Sequence, residues 1–287
     1  MGYRRLEIRR QIKEKARKII TRSFADAVKV CLLFAALYLF IQYQQAKILT
    51  APLLKAEGTG IAAIVNAYLA MDWRQALSIA MIIVLAVIVL GPLLCSFCGF
   101  FLKITAEINS GQNESNEETR ESLRLTDSLV WFYQKTARNK AIGLRVATTL
   151  LSGFWYALLV GPPLYLLYNL RGNPYSIKFA NTSLMYTSWL IIGFIAACVK
   201  LGTYYPAYFL IAQDPAMPVA EALRESVLMM RGHAWEFFRY KLSFIPYYLI
   251  SVVTFGVGLL YVVPYRGASD ALFMRYIDSV SSGEDPF

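Results

Sequence analysis

Apolar residues fall along this chain on two length scales, and both predict helices. The longer scale gives runs of apolar residues over 28–45, 77–104, 144–170 and 184–211, each near the roughly 17–25 residues that a helix needs to cross a bilayer. From Ala234 to Tyr265 the chain is again largely apolar and predicts either a pair of spans, 235–255 and 259–279, turning at Thr254-Phe255-Gly256-Val257-Gly258, or a single fifth span from about Leu242. None of these runs alternates with period two, as barrel strands do, and lipid cannot hydrogen-bond an exposed backbone, so helices are the expected spanning elements. On the shorter scale, Ile8, Ile12, Ala16, Ile19, Ile20 and Phe24 share one arc of a helix, with Arg4, Arg10, Lys15, Arg17, Lys18 and Arg22 opposite. This arc is expected to lie on the membrane, with Arg5 and Arg9 snorkelling toward headgroups. A second amphipathic segment, 214–232, sets Val219, Leu223, Val227 and Met230 against Glu221 and Glu225 and stops at Gly232.

The expected fold is therefore all-α, a polytopic transmembrane bundle of about six spans preceded by a basic amphipathic helix. Its organisation is an interfacial helix over 1–27, one transmembrane domain over 28–280 and a tail over 281–287. Residues 105–140 form a cytoplasmic loop, because Gly111-Gln112-Asn113-Glu114-Ser115-Asn116-Glu117-Glu118 is too polar to bury. Gly91-Pro92 is expected to kink the second span, and Gly161-Pro162-Pro163 to interrupt the third.

Composition agrees: 57% of the residues are hydrophobic and 17% charged, against about 45–50% and about 25% in soluble domains. The net charge of +10 raises the question of nucleic acid, but residues 1–29 hold ten Lys or Arg against Glu7, Glu14 and Asp26, and so supply seven of those charges. A basic cluster beside a span is explained by topology and anionic lipid, and no nucleic-acid motif accompanies it. The expected partners are the bilayer and anionic phospholipid at the cytoplasmic leaflet, through Arg4, Arg5, Arg9, Arg10, Lys13, Arg17, Lys18 and Arg22; no nucleic acid is expected, and the sequence names no protein partner. The inner loops carry the larger share of Lys and Arg, which places the N-terminus in the cytoplasm. The first span is expected to persist as an anchor, since no small-residue cleavage site follows it.

Lys200 is the cation hardest to place, because a charge central to a span costs roughly 2.5–3.5 kcal/mol on insertion scales. One reading pairs it with Asp270 or an anionic substrate in a polar membrane site with Tyr204, Tyr205, Tyr265 and Arg266; the other lets it snorkel to the interface. Arg266 and Asp270, four apart, suit a helix-surface ion pair of about 0.3–0.5 kcal/mol.

The most specific wording lies near the C-terminus: Glu221-Ala222-Leu223-Arg224-Glu225-Ser226, then Met230-Arg231-Gly232-His233, Trp235, Phe237 and Leu242-Ser243-Phe244-Ile245. Thr254-Phe255-Gly256-Val257-Gly258 follows, with Val263-Pro264-Tyr265, Ala268 and Phe273, and Ile12-Lys13-Glu14-Lys15-Ala16-Arg17 opens the chain. Together these resemble the bacterial integral membrane family known as domain of unknown function 975. Departures are the missing Trp near Pro246-Tyr247 and Phe273-Met274 in place of an aromatic-Tyr pair. The resemblance marks Gly232, Trp235, Gly256, Gly258 and Pro264 as structural motif residues and implies a multi-pass membrane protein of the bacterial plasma membrane, with no activity attached.

Chemistry is sparsely represented. His233 is the sole histidine, with no triad pattern around it, and Cys95 and Cys98 lack the further ligands that zinc needs. Cys31, Cys95, Cys98 and Cys198 all sit in apolar surroundings and read as small buried hydrophobes. No phosphate-binding glycine loop occurs. No cofactor or metal is expected, and the expected function is non-enzymatic: a scaffold, accessory or lipid-interacting membrane protein. Alternatives are a transporter or transporter subunit built around Lys200 and the two Gly-Pro breaks, or an immunity or stress protein against membrane-active peptides.

Overall fold

A computed structural model of the chain describes residues 2–50, 66, 70–109, 130–170 and 176–282. Every regular element among them is a helix: α1 (Gly2–Arg22), α2 (Phe24–Thr50), α3 (Trp73–Asn109), α4 (Val130–Tyr133), α5 (Lys135–Leu159), α6 (Gly161–Tyr168), α7 (Ile177–Gly202), α8 (Pro206–Gln213), α9 (Val219–Met229), α10 (Ala234–Leu242), α11 (Ile245–Val253) and α12 (Leu259–Ser282). Four stretches among the described residues are long and apolar enough to cross a membrane: Phe24–Lys47, Trp73–Ala106, Lys135–Leu159 and Ile177–Gln213. The polar run 111–118, the tail 283–287 and most of the stretch between α2 and α3 lie outside the described residues.

Two differences from the sequence expectation concern these spans. The third begins at Lys135, inside the expected loop, and ends at Leu159, so that Gly161-Pro162-Pro163 opens the separate helix α6 instead of interrupting a span. Pro at the first helical positions lacks only a donor that has no partner there, which makes the pair a helix start. The expected spans five and six are made of α10, α11 and α12: the first two are nine residues each, and α12 carries Arg266, Asp270, Arg275 and Asp278. Length excludes the first two from the spanning class, and charge the third.

The chain divides into two compact units, one of Met1–Leu37, Val89–Arg145 and Gly202–Phe287, the other of Tyr38–Ile88 and Val146–Leu201. In the first, α12 is the central helix; Val262, Tyr265, Ala268, Ala271, Leu272, Phe273, Met274, Tyr276 and Ile277 are buried along it. Helix α1 packs along α12, and Ile12, Ala16, Ile19 and Ile20 are at most 2% exposed. This corrects the expectation that the apolar arc rests on lipid: the periodicity identifies a buried face, but the face is covered by protein. Lys13 Nζ donates to the carbonyl of Ser243 at 3.4 Å and stands 4.8 Å over the Phe244 ring, tying α1 to the start of α11.

Helix α3 continues through Pro92 without interruption. A Cβ on Gly91 would come within 2.6 Å of the Ala141 carbonyl oxygen, so glycine permits α3 and α5 to approach at backbone distance. At the far end of α3, the Arg275 guanidinium donates to the carbonyls of Leu102 and Thr105 at 3.0 and 3.2 Å. Ser226 on α9 donates to the Thr203 carbonyl at 2.6 Å. Gly232, at φ +83°, ends that helical stretch, and Phe255 and Gly256, at φ 50° and 89°, make the turn between α11 and α12. Cys31, Cys95 and Cys98 are buried, and all four thiols are free.

In the second unit, a Cβ on Gly193 of α7 would collide with the Leu159 carbonyl of α5, again marking close helix packing. Tyr156 lies 6.1 Å from the Phe194 ring. Leu39, Phe40, Leu150, Phe154, Ile192 and Phe194 are exposed; so many large apolar side chains left uncovered on long helices is the arrangement that lipid, not water, solvates.

Candidate functional site

The first unit contains a buried charge centre. Arg266 and Asp270 sit one helical turn apart on α12, Lys241 is in the last turn of α10, and Tyr205 closes the turn before Pro206 starts α8. One oxygen of Asp270 gathers them: Lys241 Nζ donates to Oδ2 at 2.5 Å, the Tyr205 hydroxyl donates at 3.0 Å, and Arg266 Nε stands 3.8 Å away. The Lys241 ammonium also lies 4.2 Å over the Tyr205 ring and 4.8 Å over Phe237, and Arg266 Nη1 donates to the Tyr248 hydroxyl on α11 at 2.7 Å. Asp270 is 1% exposed, so its charge depends on these partners. Burial draws the Lys241 ammonium down to about 8, while the Asp270 carboxylate opposes that pull. Two cations on one carboxylate leave the centre net positive. Its chemistry is that of a clamp joining α8, α10, α11 and α12.

The sequence had grouped six polar candidates. The structure unites Tyr205, Arg266 and Asp270, and brings Lys241 to Asp270 as a lysine partner. Lys200 Nζ stands 5.2 Å over the Trp155 ring, a cation–π contact in keeping with a lysine in an apolar helix. Tyr204 lies half-buried in the turn preceding α8. Tyr265 belongs to an aromatic ladder, stacked on Tyr261 at 5.6 Å and 5.7 Å from both Tyr247 and Phe244. The Arg266–Asp270 pair is not the surface pair that its spacing suggested, because the carboxylate is enclosed. Lys241 falls inside the expected span 235–255 and is not among the expected site residues; the signal was a cation set between Tyr240 and Leu242-Ser243-Phe244, the same kind of context that draws notice to Lys200.

Of the basic face expected to meet lipid, Arg10, Arg17 and Lys18 point outward, Arg10 pairing with Glu14 at 2.9 Å. Arg9 is half-buried, and Lys13 turns inward to Ser243, which removes it from that face. The side chains of Arg4, Arg5 and Arg22 lie outside the described residues. Among the motif residues, Trp235 is exposed and stacks on Phe238 at 5.3 Å, the Gly258 amide donates to Thr254 Oγ1 at 3.0 Å, and Pro264 is buried inside α12. His233 precedes α10, with Nδ1 3.4 Å from the buried Glu236 carboxylate.

Four helices among the described residues that are apolar enough to span a membrane, with a helical unit built around a buried carboxylate, place the chain among all-α proteins of the membrane type. The family described as Protein of unknown function (DUF975) matches residues 3–281, nearly the whole chain, and the chain belongs to it. No curated protein and no solved structure matches.

Proposed function

We propose that the chain is a non-enzymatic, lipid-interacting scaffold or accessory protein of the bacterial cytoplasmic membrane, crossing it four times with its N-terminus inside. The observation that carries this reading is the orientation of α1: its apolar arc is spent on α12, and Arg10, Arg17 and Lys18 face outward beside the first apolar helix. A helix held in this way by protein contacts presents fixed positive charge at the level of the headgroups, where each Lys or Arg contributes about 1 kcal/mol toward anionic lipid. The clamp at Asp270 supports the same reading, since it braces α12, on which α1 rests, and binds its charges to one another. Gly91-Pro92 lends no support to transport, because α3 is continuous there and Gly91 is packed on α5.

Native mass spectrometry of the full-length protein titrated with equal phosphatidylglycerol and phosphatidylcholine tests this. Retained lipid should favour phosphatidylglycerol by at least about tenfold at low salt, and the preference should fall as salt screens the charges. Replacing Arg10, Arg17 and Lys18 together with glutamine should bring the two lipids near parity. Equal retention by the unaltered protein would end the lipid-interaction reading.

A further inference from the structure

We propose that the hairpin formed by α11 and the start of α12 is a re-entrant element that enters the leaflet α2 enters first and is covered there by acyl chains. This rests on the membrane placement proposed above and adds a fifth, non-crossing contact with the bilayer. Residues 242–265 carry no charged side chain. The tip is bare: Phe255 is 100% exposed, Val253 78%, Val252 74% and Val257 67%, and Leu249, Ile250, Leu259 and Leu260 continue the exposed apolar surface down both arms. Apolar exposure on both arms and around the turn suits a fluid solvent better than a single protein face.

The backbone of the turn meets the condition that hydrocarbon imposes, which is internal satisfaction of polar groups. The Gly256 amide donates to the Ser251 carbonyl at 2.8 Å, the Gly258 amide to Thr254 Oγ1 at 3.0 Å, and Ser251 Oγ to the Tyr247 carbonyl at 2.9 Å. Contacts with the start of the chain set the level. Lys13 stands over Phe244 at the base of the hairpin, and Phe24, the first residue of the first apolar helix, lies 6.5 Å from Tyr261 nearer the tip. The turn therefore lies beyond the point where α2 enters the membrane, and Tyr247, Tyr261 and Tyr265 form an aromatic belt at that boundary. The nine residues of α11 rise only about 13.5 Å, less than half of a hydrocarbon core about 30 Å thick. The tip ends inside one leaflet.

The test uses full-length protein in phosphatidylglycerol–phosphatidylethanolamine liposomes, with Cys31, Cys95, Cys98 and Cys198 replaced by alanine and an environment-sensitive fluorophore on Val257→Cys or, as reference, Ile192→Cys in α7. Brominated acyl chains should quench both labels at least about twofold, as hydrocarbon burial requires, and aqueous iodide should quench neither from either side. Quenching of the Val257→Cys label by iodide, with the Ile192→Cys label still lipid-quenched, would overturn the hairpin proposal while leaving the membrane placement intact. Pairing of two Val257→Cys chains by a short bifunctional crosslinker, without lipid quenching, would overturn it in favour of a second copy. Quenching of neither label by lipid would remove the placement and the hairpin together. Should the cysteine-free chain fail to fold, the unaltered chain irradiated with diazirine-bearing acyl lipids should carry adducts within 249–257; adducts within 185–195 alone would overturn the proposal.

Discussion

Replacing Asp270 with alanine should lower unfolding stability in detergent by about 3–5 kcal/mol, the range found when one partner of a buried ion pair is removed. The carboxylate is enclosed, and its loss leaves Lys241 and Arg266 with like charge and no counterion. Their side chains are 19% and 38% exposed, so Arg266 relaxes toward solvent more readily and Lys241 bears the larger share of the loss. Asp270→Asn keeps the shape and removes the charge, and should fall between alanine and the parent. Adding Lys241→Met to Asp270→Ala should recover part of the deficit, with a coupling energy above about 1 kcal/mol by denaturation. Strict additivity of the two substitutions would show that the 2.5 Å contact carries no energy of its own.

Gly91→Leu should destabilise by about 1–3 kcal/mol or more, as overpacking does where the neighbour cannot yield. The obstacle is the backbone of Ala141, at 2.6 Å from the oxygen and 3.0 Å from the carbonyl carbon, not a side chain that could rotate away. Helices α3 and α5 would have to separate. Gly153→Ala is the matched control, since a Cβ there meets nothing within 4 Å; it should change stability by no more than about 0.5 kcal/mol, or raise it through helix propensity. Equal thermal shifts for the two variants would show that α3 and α5 do not depend on glycine for their approach.

The parts of the fold governed by local physics were legible in the sequence. Long apolar runs located the helices that became α2, α3 and α7, Gly232 ended the stretch containing α9, and the 254–258 turn fell where its glycines placed it. What failed depended on partners distant in sequence. The arc of Ile12, Ala16, Ile19 and Ile20 was correct as an arc, but periodicity reports only that a face is buried, and lipid and protein demand the same residues of it. The charge centre was half legible: Arg266 and Asp270 stood out by spacing and Tyr205 beside Tyr204, whereas Lys241 reaches Asp270 from 29 positions away and lies inside the expected span 235–255. The third span was shifted because Lys135, Arg138 and Lys140 signal a loop in composition; Lys140 instead turns back to the carbonyls of Pro215 and Ala216 at 2.8 and 2.6 Å from the first turns of α5. The charge-free stretch 242–265 is divided between α11, nine residues long, and the first turns of α12, whose later turns carry Arg266, Asp270, Arg275 and Asp278, so length excludes one helix and charge the other from the spanning class.

Alkaline and high-salt extraction of membranes containing the full-length chain tests the central claim most directly, because it separates helices solvated by acyl chains from a basic face held by charge alone. The chain should stay in the membrane pellet through both washes and become monodisperse only in detergent. Release as a monodisperse polypeptide by either wash would contradict the account.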